Sequence, residues 1–163
     1  MSNETGHSVL IQAMIGVDDR GLFFSLPYIK EPIQVGIVFK ALGYTKEEDI
    51  VNFIGLENEK CRKYIRYIVR DSFICETKED ALSYIGERSL HINTKDAEQP
   101  YATQIVNTEL FPHLGISATS KEYACFLGHI LRKLLATNLG LRGEDDRDNY
   151  SNKRVEVAGT LLY

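Results

Sequence analysis

Ser120-Lys-Glu-Tyr-Ala-Cys-Phe-Leu-Gly-His-Ile-Leu-Arg-Lys-Leu-Leu-Ala-Thr-Asn138 is the most regular stretch of the chain. Tyr123, Ala124, Phe126, Leu127, Ile130, Leu131, Leu134 and Leu135 recur at intervals of three and four, which on a helix makes one apolar stripe of core width. A helix with such a stripe needs other elements packed along it, so this one is expected to be the central beam of the domain. Gly128 within the stripe allows a second helix to come close. Arg132 and Lys133 lie toward the C-terminal half, where the helix dipole favours cations.

Working upstream, Pro112 stops a helix expected over Tyr101 to Leu110, and Gln99-Pro100 marks a break before it. Two N-terminal capping patterns precede these. Thr77-x-x-Asp80 opens a helix to about Glu87, and Thr45-x-x-Glu48 opens one to about Ile54. Between them, Cys61, Tyr64, Ile65, Ile68, Val69 and Phe73 recur at helical spacing, with Arg62, Lys63, Arg66 and Arg70 left on the outer face. That basic face reads either as solvated surface, with Glu59 and Lys63 as an i,i+4 pair, or as a face toward DNA or a partner subunit.

The first third reads differently. Val9 to Ile15 and Leu22 to Tyr28 are rich in β-branched, apolar and aromatic residues around the turn-forming Asp18-Asp19-Arg20-Gly21, a pattern for a β-hairpin. After Pro32, Val35 to Leu42 fits a strand or a helix equally by pattern, with Gly43 as a stop. The expected fold class is therefore α+β, predominantly helical, with an N-terminal hairpin region followed by a helical bundle.

At 163 residues, 44% hydrophobic and 26% charged, the chain suits one domain with a real core. A net charge of −4 argues against a free-standing duplex binder, so any DNA contact must be local. Cys61, Cys75 and Cys125 form no Cys-x-x-Cys pair; buried or half-buried thiols in a reducing compartment are expected. No apolar run approaches a membrane span, and no signal peptide is recognisable, which points to a soluble intracellular chain. The apolar Val157 to Tyr163 stops in mid-helix, as a partial sequence or excised domain would.

Downstream of the long helix, Glu144, Asp145, Asp146 and Asp148 interleave with Arg147, Lys153 and Arg154. Such alternation supports an ion-pair network with guanidinium and ammonium donors to spare for phosphate or a base edge. Ser151 is a suitable N-cap for the apolar helix after it, and Tyr150 can staple onto Val155. Lys153 and Arg154 then fall in the first turn, at the positive end of the dipole, where they are mildly unfavourable unless carboxylates or an external anion compensate. An internally neutralised helix entrance and an anion-binding one fit the spacing equally.

Asp145-Asp-Arg-Asp-Asn-Tyr-Ser-Asn-Lys-Arg-Val-Glu-Val-Ala-Gly159 resembles the Asp-Asp-Arg-Asp…Gly-Asn-Lys-Arg…Ala-Gly signature of the second-largest subunit of multisubunit DNA-directed RNA polymerases. Three more segments are similar to that subunit in the same order: Leu26-Pro-Tyr-Ile-Lys with Ile37-Val-Phe-Lys-Ala-Leu-Gly43, Leu110-Phe-Pro-His-Leu114, and Phe126-Leu-Gly-His-Ile-Leu-Arg-Lys-Leu-Leu135. The likeness runs from about Leu22 onward and is of the eukaryotic nuclear or large-DNA-virus type. Ser151 stands where the family generally has Gly, and Asn149 where His or an aromatic is common.

The resemblance favours a short helix over Val35 to Leu42. It implies a lobe-like domain over residues 1–142, with residues 143–163 as a charged turn and the start of a helix returning to the protrusion. It also implies a role as one wall of the DNA cleft in transcription, with other polymerase subunits and the template and non-template DNA strands as partners. Location would be the nucleus, or a viral factory or virion. By residue, it points to Asp148 and Lys153 as nucleic-acid contacts, with Arg154 third; Asp145, Asp146 and Arg147 would be the supporting network, Arg147 orienting Asp145 or Asp148. Arg62, Lys63, Arg66 and Arg70 are a possible partner face, and a module that docks a small subunit or a transcription factor without touching DNA is the alternative reading.

Catalysis by this chain alone is not expected. There is no nucleophile elbow, phosphate-cradling glycine loop, dinucleotide fingerprint or His-Glu-x-x-His. His7, His91, His113 and His129 show no metal-ligand spacing. A calcium loop begun at Asp146 fails, because Tyr150, Ser151 and Val157 fall on its fifth, glycine and closing positions. No cofactor is expected in this chain; by resemblance Mg2+ belongs to the complete polymerase, held mainly by the largest subunit.

Overall fold

Helix α1 (Val35–Ala41) is the element buried on every side, from Val35 through Lys40 to Ala41. This corrects the expectation for the long helix. A run as apolar as Val-Gly-Ile-Val-Phe has no polar face to show water, so it belongs at the centre, whereas the long helix α6 (Ser120–Asn138) has one apolar stripe and one wet side. The computed structural model describes residues 10–16, 21–55, 59–90, 95–115, 118–146, 148–152 and 159, with backbone alone for 95–97 and 152.

The hairpin forms as expected. Strands β1 (Gln12–Ile15) and β2 (Leu22–Ser25) pair antiparallel, with Gln12 opposite Ser25 and Ile15 opposite Leu22. A two-residue strand β3 (Ile33–Gln34), too short to leave an alternation, adds antiparallel to β2 through Phe23–Gln34 and Phe24–Ile33 and runs straight into α1. Of the predicted turn Asp18-Asp19-Arg20-Gly21, the first three residues lie outside the described ones, while Gly21 has a φ of +83° and its carbonyl accepts from Gly16 N–H at 3.0 Å.

Helices α2 (Glu47–Ile54), α3 (Glu59–Ser72), α4 (Lys78–Glu87) and α5 (Lys95–Gln104) complete the α+β, mostly helical architecture. α1 packs on α3 and α4, α2 on α6, and α4 on α5. Three of these contacts are made at glycines. A Cβ on Gly36 would lie 2.3 Å from the Ile68 carbonyl oxygen, on Gly86 2.5 Å from that of Glu98, and on Gly128 2.4 Å from that of Phe53. The close approach expected at Gly128 is thus made with α2.

The capping patterns diverge. Thr77 and Asp80 form the predicted reciprocal box on α4. A second box at the start of α6, Thr119 with Glu122, obeys the same Thr-x-x-Glu rule. The Thr45–Glu48 box does not form: α2 begins at Glu47, with Lys46 as an N-cap that offers no side-chain bond. Glu47, Glu48 and Asp49 fill that first turn, and three carboxylates at the positive end of the dipole stabilise it without the box.

Pro100 does not break the chain either; it lies inside α5. Burial of Ala102, Ile105 and Val106 overrides the local penalty. The helix then widens into a π turn over Ile105–Glu109, closed by Leu110 N–H donating to the Ile105 carbonyl at 3.0 Å. On α3 the expected stripe is met by buried Cys61, Tyr64 and Ile68, but Phe73 falls beyond the helix end and is 69% exposed.

Phe111 is the hub of the core. Its ring meets Phe24, Tyr123 and Phe126 at centroid distances of 6.1, 6.0 and 4.9 Å, and Tyr123 donates its hydroxyl to the Asn107 carbonyl at 2.8 Å. His113 sits at the core edge, 4.6 Å from Phe126, and partial burial pushes its imidazole below the ordinary histidine range. Burial likewise raises the thiols of Cys61 and Cys75, while Cys125, expected to be at least half-buried, is exposed on the wet side of α6.

Candidate nucleic-acid interface

The end of α6 is tied down before the charged segment begins. Leu139 N–H donates to Leu135, Gly140 takes a left-handed φ of +69° and donates to Thr137, and Leu141 and Arg142 both donate to the Ala136 carbonyl. Gly at this position closes the helix without steric cost and satisfies its last carbonyls. Asn138 adds a bond across the fold, its side-chain amide donating to the Tyr64 hydroxyl on α3 at 2.7 Å. The charged segment therefore springs from a fixed point.

From Leu141 to Asp146, and from Asp148 to Ser151, every residue is exposed, Tyr150 at 85%. Two Asx-type bonds shape the backbone. Asp146 Oδ1 accepts from Asp148 N–H at 2.9 Å, and Asn149 Oδ1 accepts from both the N–H and the hydroxyl of Ser151, at 3.1 and 3.0 Å. A short 3-10 turn, Tyr150–Asn152, comes next. Ser151 thus lies within a turn, and Asn149 provides the accepting side chain that the sequence pattern assigns to Ser151. The helix Ser151 was expected to cap, with Val155 for the Tyr150 staple, falls at residues outside the described ones.

Asp145 pairs with Arg142 at 2.5 Å. Sequence reasoning gave this supporting role to Arg147, which lies outside the described residues, and passed over Arg142, although its i,i+3 spacing to Asp145 was visible. Exposed pairs of this kind contribute about 0.2–1 kcal/mol, so the pair orients the segment more than it stabilises the fold. Of the three nucleic-acid candidates, Asp148 is placed, exposed, in the turn; Lys153 and Arg154 also lie outside the described residues.

No metal centre is built among the described residues, where no group of three or more His, Cys, Asp or Glu side chains comes together to hold an ion. Asp145 and Asp146 are turned to Arg142 and to the Asp148 backbone instead. His113 and His129 are exposed on different elements, and His7 and His91 lie outside the described residues. The basic face of α3 is as expected: Arg62, Lys63, Arg66 and Arg70 are all exposed.

The fold is that of a mostly helical α+β domain whose longest described helix is followed by an exposed, charged segment. The chain belongs to the family described as RNA polymerase Rpb2, domain 2, whose model matches residues 5–156. It is 38% identical over 85% of its length to DNA-directed RNA polymerase II subunit 2 of Arabidopsis thaliana, covering 12% of that protein. It is 32% identical over its whole length to a probable RNA polymerase II subunit RPB2 homolog of Invertebrate iridescent virus 6, covering 17% of it. The subunit Rpo2 of Saccharolobus solfataricus matches at 33% identity over 85% of the chain and 12% of its own length. The chain thus spans under a fifth of the curated relatives it matches.

Proposed function

We propose that this chain acts as a domain of the second-largest subunit of a DNA-directed RNA polymerase, where it forms one wall of the DNA cleft and lays residues 144–154 against nucleic acid near the active centre. The observation behind this reading is the exposed segment beyond α6, held at its root by the α6 C-terminal turn and the Asn138–Tyr64 bond. The described part of this segment is exposed, and residues already held in a fixed turn lose little entropy when a strand lies on them. Partners are the other polymerase subunits and the template and non-template strands, and the setting is the nucleus, or a viral factory or virion. Among the described residues no helix is long and apolar enough to cross a membrane.

In this role Asp148 accepts from a base amino group, while Lys153 and Arg154 donate to phosphate or base oxygens. Asp145, Asp146 and Arg142 keep the turn in shape for them, and we assign Arg147 the same supporting role. Phosphodiester formation, with its Mg2+ ions, is supplied by other parts of the polymerase. The test is Asp148→Ala and Lys153→Ala in the assembled polymerase. Both are expected to shorten open-complex lifetime or slow elongation while the isolated chain keeps its circular dichroism and unfolding midpoint. Unchanged transcription by both variants overturns the nucleic-acid role.

A further inference from the structure

Helix α3 concentrates cations in a chain that is acidic as a whole. Lys60, Arg62, Lys63, Arg66 and Arg70 stand against only Glu59 and Asp71 over its length, while the whole chain has a net charge of −4. Arg62, Arg66 and Arg70 are four apart, so they form one row along the exposed face. Part of this face is ordered in advance. The Arg70 guanidinium lies 5.1 Å from the Tyr67 ring and 3.4 Å from the Asp71 carboxylate, and the Lys63 ammonium lies 5.6 Å from the Tyr64 ring.

At the C-terminal end of the row stand two large apolar side chains with no cover, Phe73 at 69% and Ile74 at 54% exposure. They are not on a loose loop. Phe73, Ile74 and Cys75 donate in succession to the carbonyls of Arg70, Asp71 and Ser72. Beneath them the buried Lys40 donates to the Cys75 carbonyl, with its ammonium 5.9 Å from the Phe73 ring. A rigid apolar pair beside a row of arginines has the composition of a protein-binding hot spot, where aromatics and Arg are enriched.

We propose that this face docks an acidic protein segment, carboxylates along the Arg62–Arg66–Arg70 row and an apolar side chain against Phe73 and Ile74. A protein segment fits better than a nucleic-acid strand on two grounds. Phe73 offers one ring and its branched neighbour Ile74 none, so a strand would find a single stacking platform where successive bases need several. A duplex presents a charge about every 1.7 Å of its axis and would extend beyond α3 over the acidic remainder of the chain, whereas a short segment ends with the row. The proposal uses a different element from the segment of residues 144–154 and stands independently of its contact with DNA.

The test is fluorescence anisotropy with the full chain and three labelled probes: a helical peptide with glutamate at every fourth position and a Leu-Phe end, the same peptide with Ser-Ser in place of Leu-Phe, and a short DNA duplex. The first peptide is expected to bind and the second to bind several-fold more weakly. The pair Arg66→Glu and Arg70→Glu should weaken the first peptide by at least about tenfold, and Phe73→Ala with Ile74→Ser should remove the difference between the two peptides. These positions are exposed, so thermal unfolding should be unchanged and serves as the control. No binding by either peptide, binding that ignores the substitutions, or preference for the duplex overturns the proposal.

Discussion

Phe111 shows how much of a core a single side chain can organise. It is fully buried with aromatic neighbours from β2 and α6, so the Leu110-Phe-Pro-His-Leu114 motif is there to be filled around. Phe111→Ala should cost about 3–5 kcal/mol in urea unfolding, the range for emptying such a site. Gly128→Ala needs the opposite remedy, since its new methyl would have to displace the Phe53 backbone; a loss of about 1–3 kcal/mol is expected from the same measurement. At this scale the sequence was informative about what is buried, because apolar residues at helical spacing have few other places to go. It was poorer on who pairs with whom: Arg142 and Asp145 meet because the α6 terminus turns back through Gly140, a geometry that composition alone does not reveal.

Among the elements, the caps allow the sharpest comparison. Thr45, Thr77 and Thr119 each precede an acid by three residues, and only the latter two form the box. The pattern records a possibility; whether it is used depends on what else satisfies the first turn. Thr119→Ala should therefore destabilise by about 1 kcal/mol, while Thr45→Ala should be near neutral. Bonds from the Thr119 backbone and side chain hold the Glu122 carboxyl below its ordinary value of 4.5, and those from Thr77 do the same for Asp80. A carboxylate depressed in the folded state contributes stability that is present above its unfolded pKa and lost as pH falls through the folded one. Urea midpoints should thus decline for the native chain as pH drops below about 4.5, and Glu122→Gln should flatten that decline. Pro100 and the π turn were illegible for a related reason: tertiary burial of Ala102, Ile105 and Val106 outweighs a local rule. β3 was missed because two residues hold no period.

Cations are concentrated along α3, while carboxylates are spread over α2, α4 and the segment after α6, and the chain as a whole has a net charge of −4. The isolated chain should accordingly bind non-specific duplex DNA weakly, with a Kd above roughly 10⁻⁴ M at physiological salt, because the acidic remainder repels what a few cations attract. A gel-shift or anisotropy titration checks this; micromolar binding would mean that contact with DNA does not depend on the rest of an assembly. The overall architecture was legible from the sequence, since the hairpin and most helices lie where their patterns put them; α5 is the exception, running from Lys95 through the expected break at Gln99-Pro100. Which helix sits innermost was not, because the short α1 leaves almost no periodicity. The crossings at Gly36, Gly86 and Gly128 bring helix backbones into direct contact, leaving no layer of side chains to slide or repack. A body bolted together this way should respond to load as one rigid piece rather than shear along its helices.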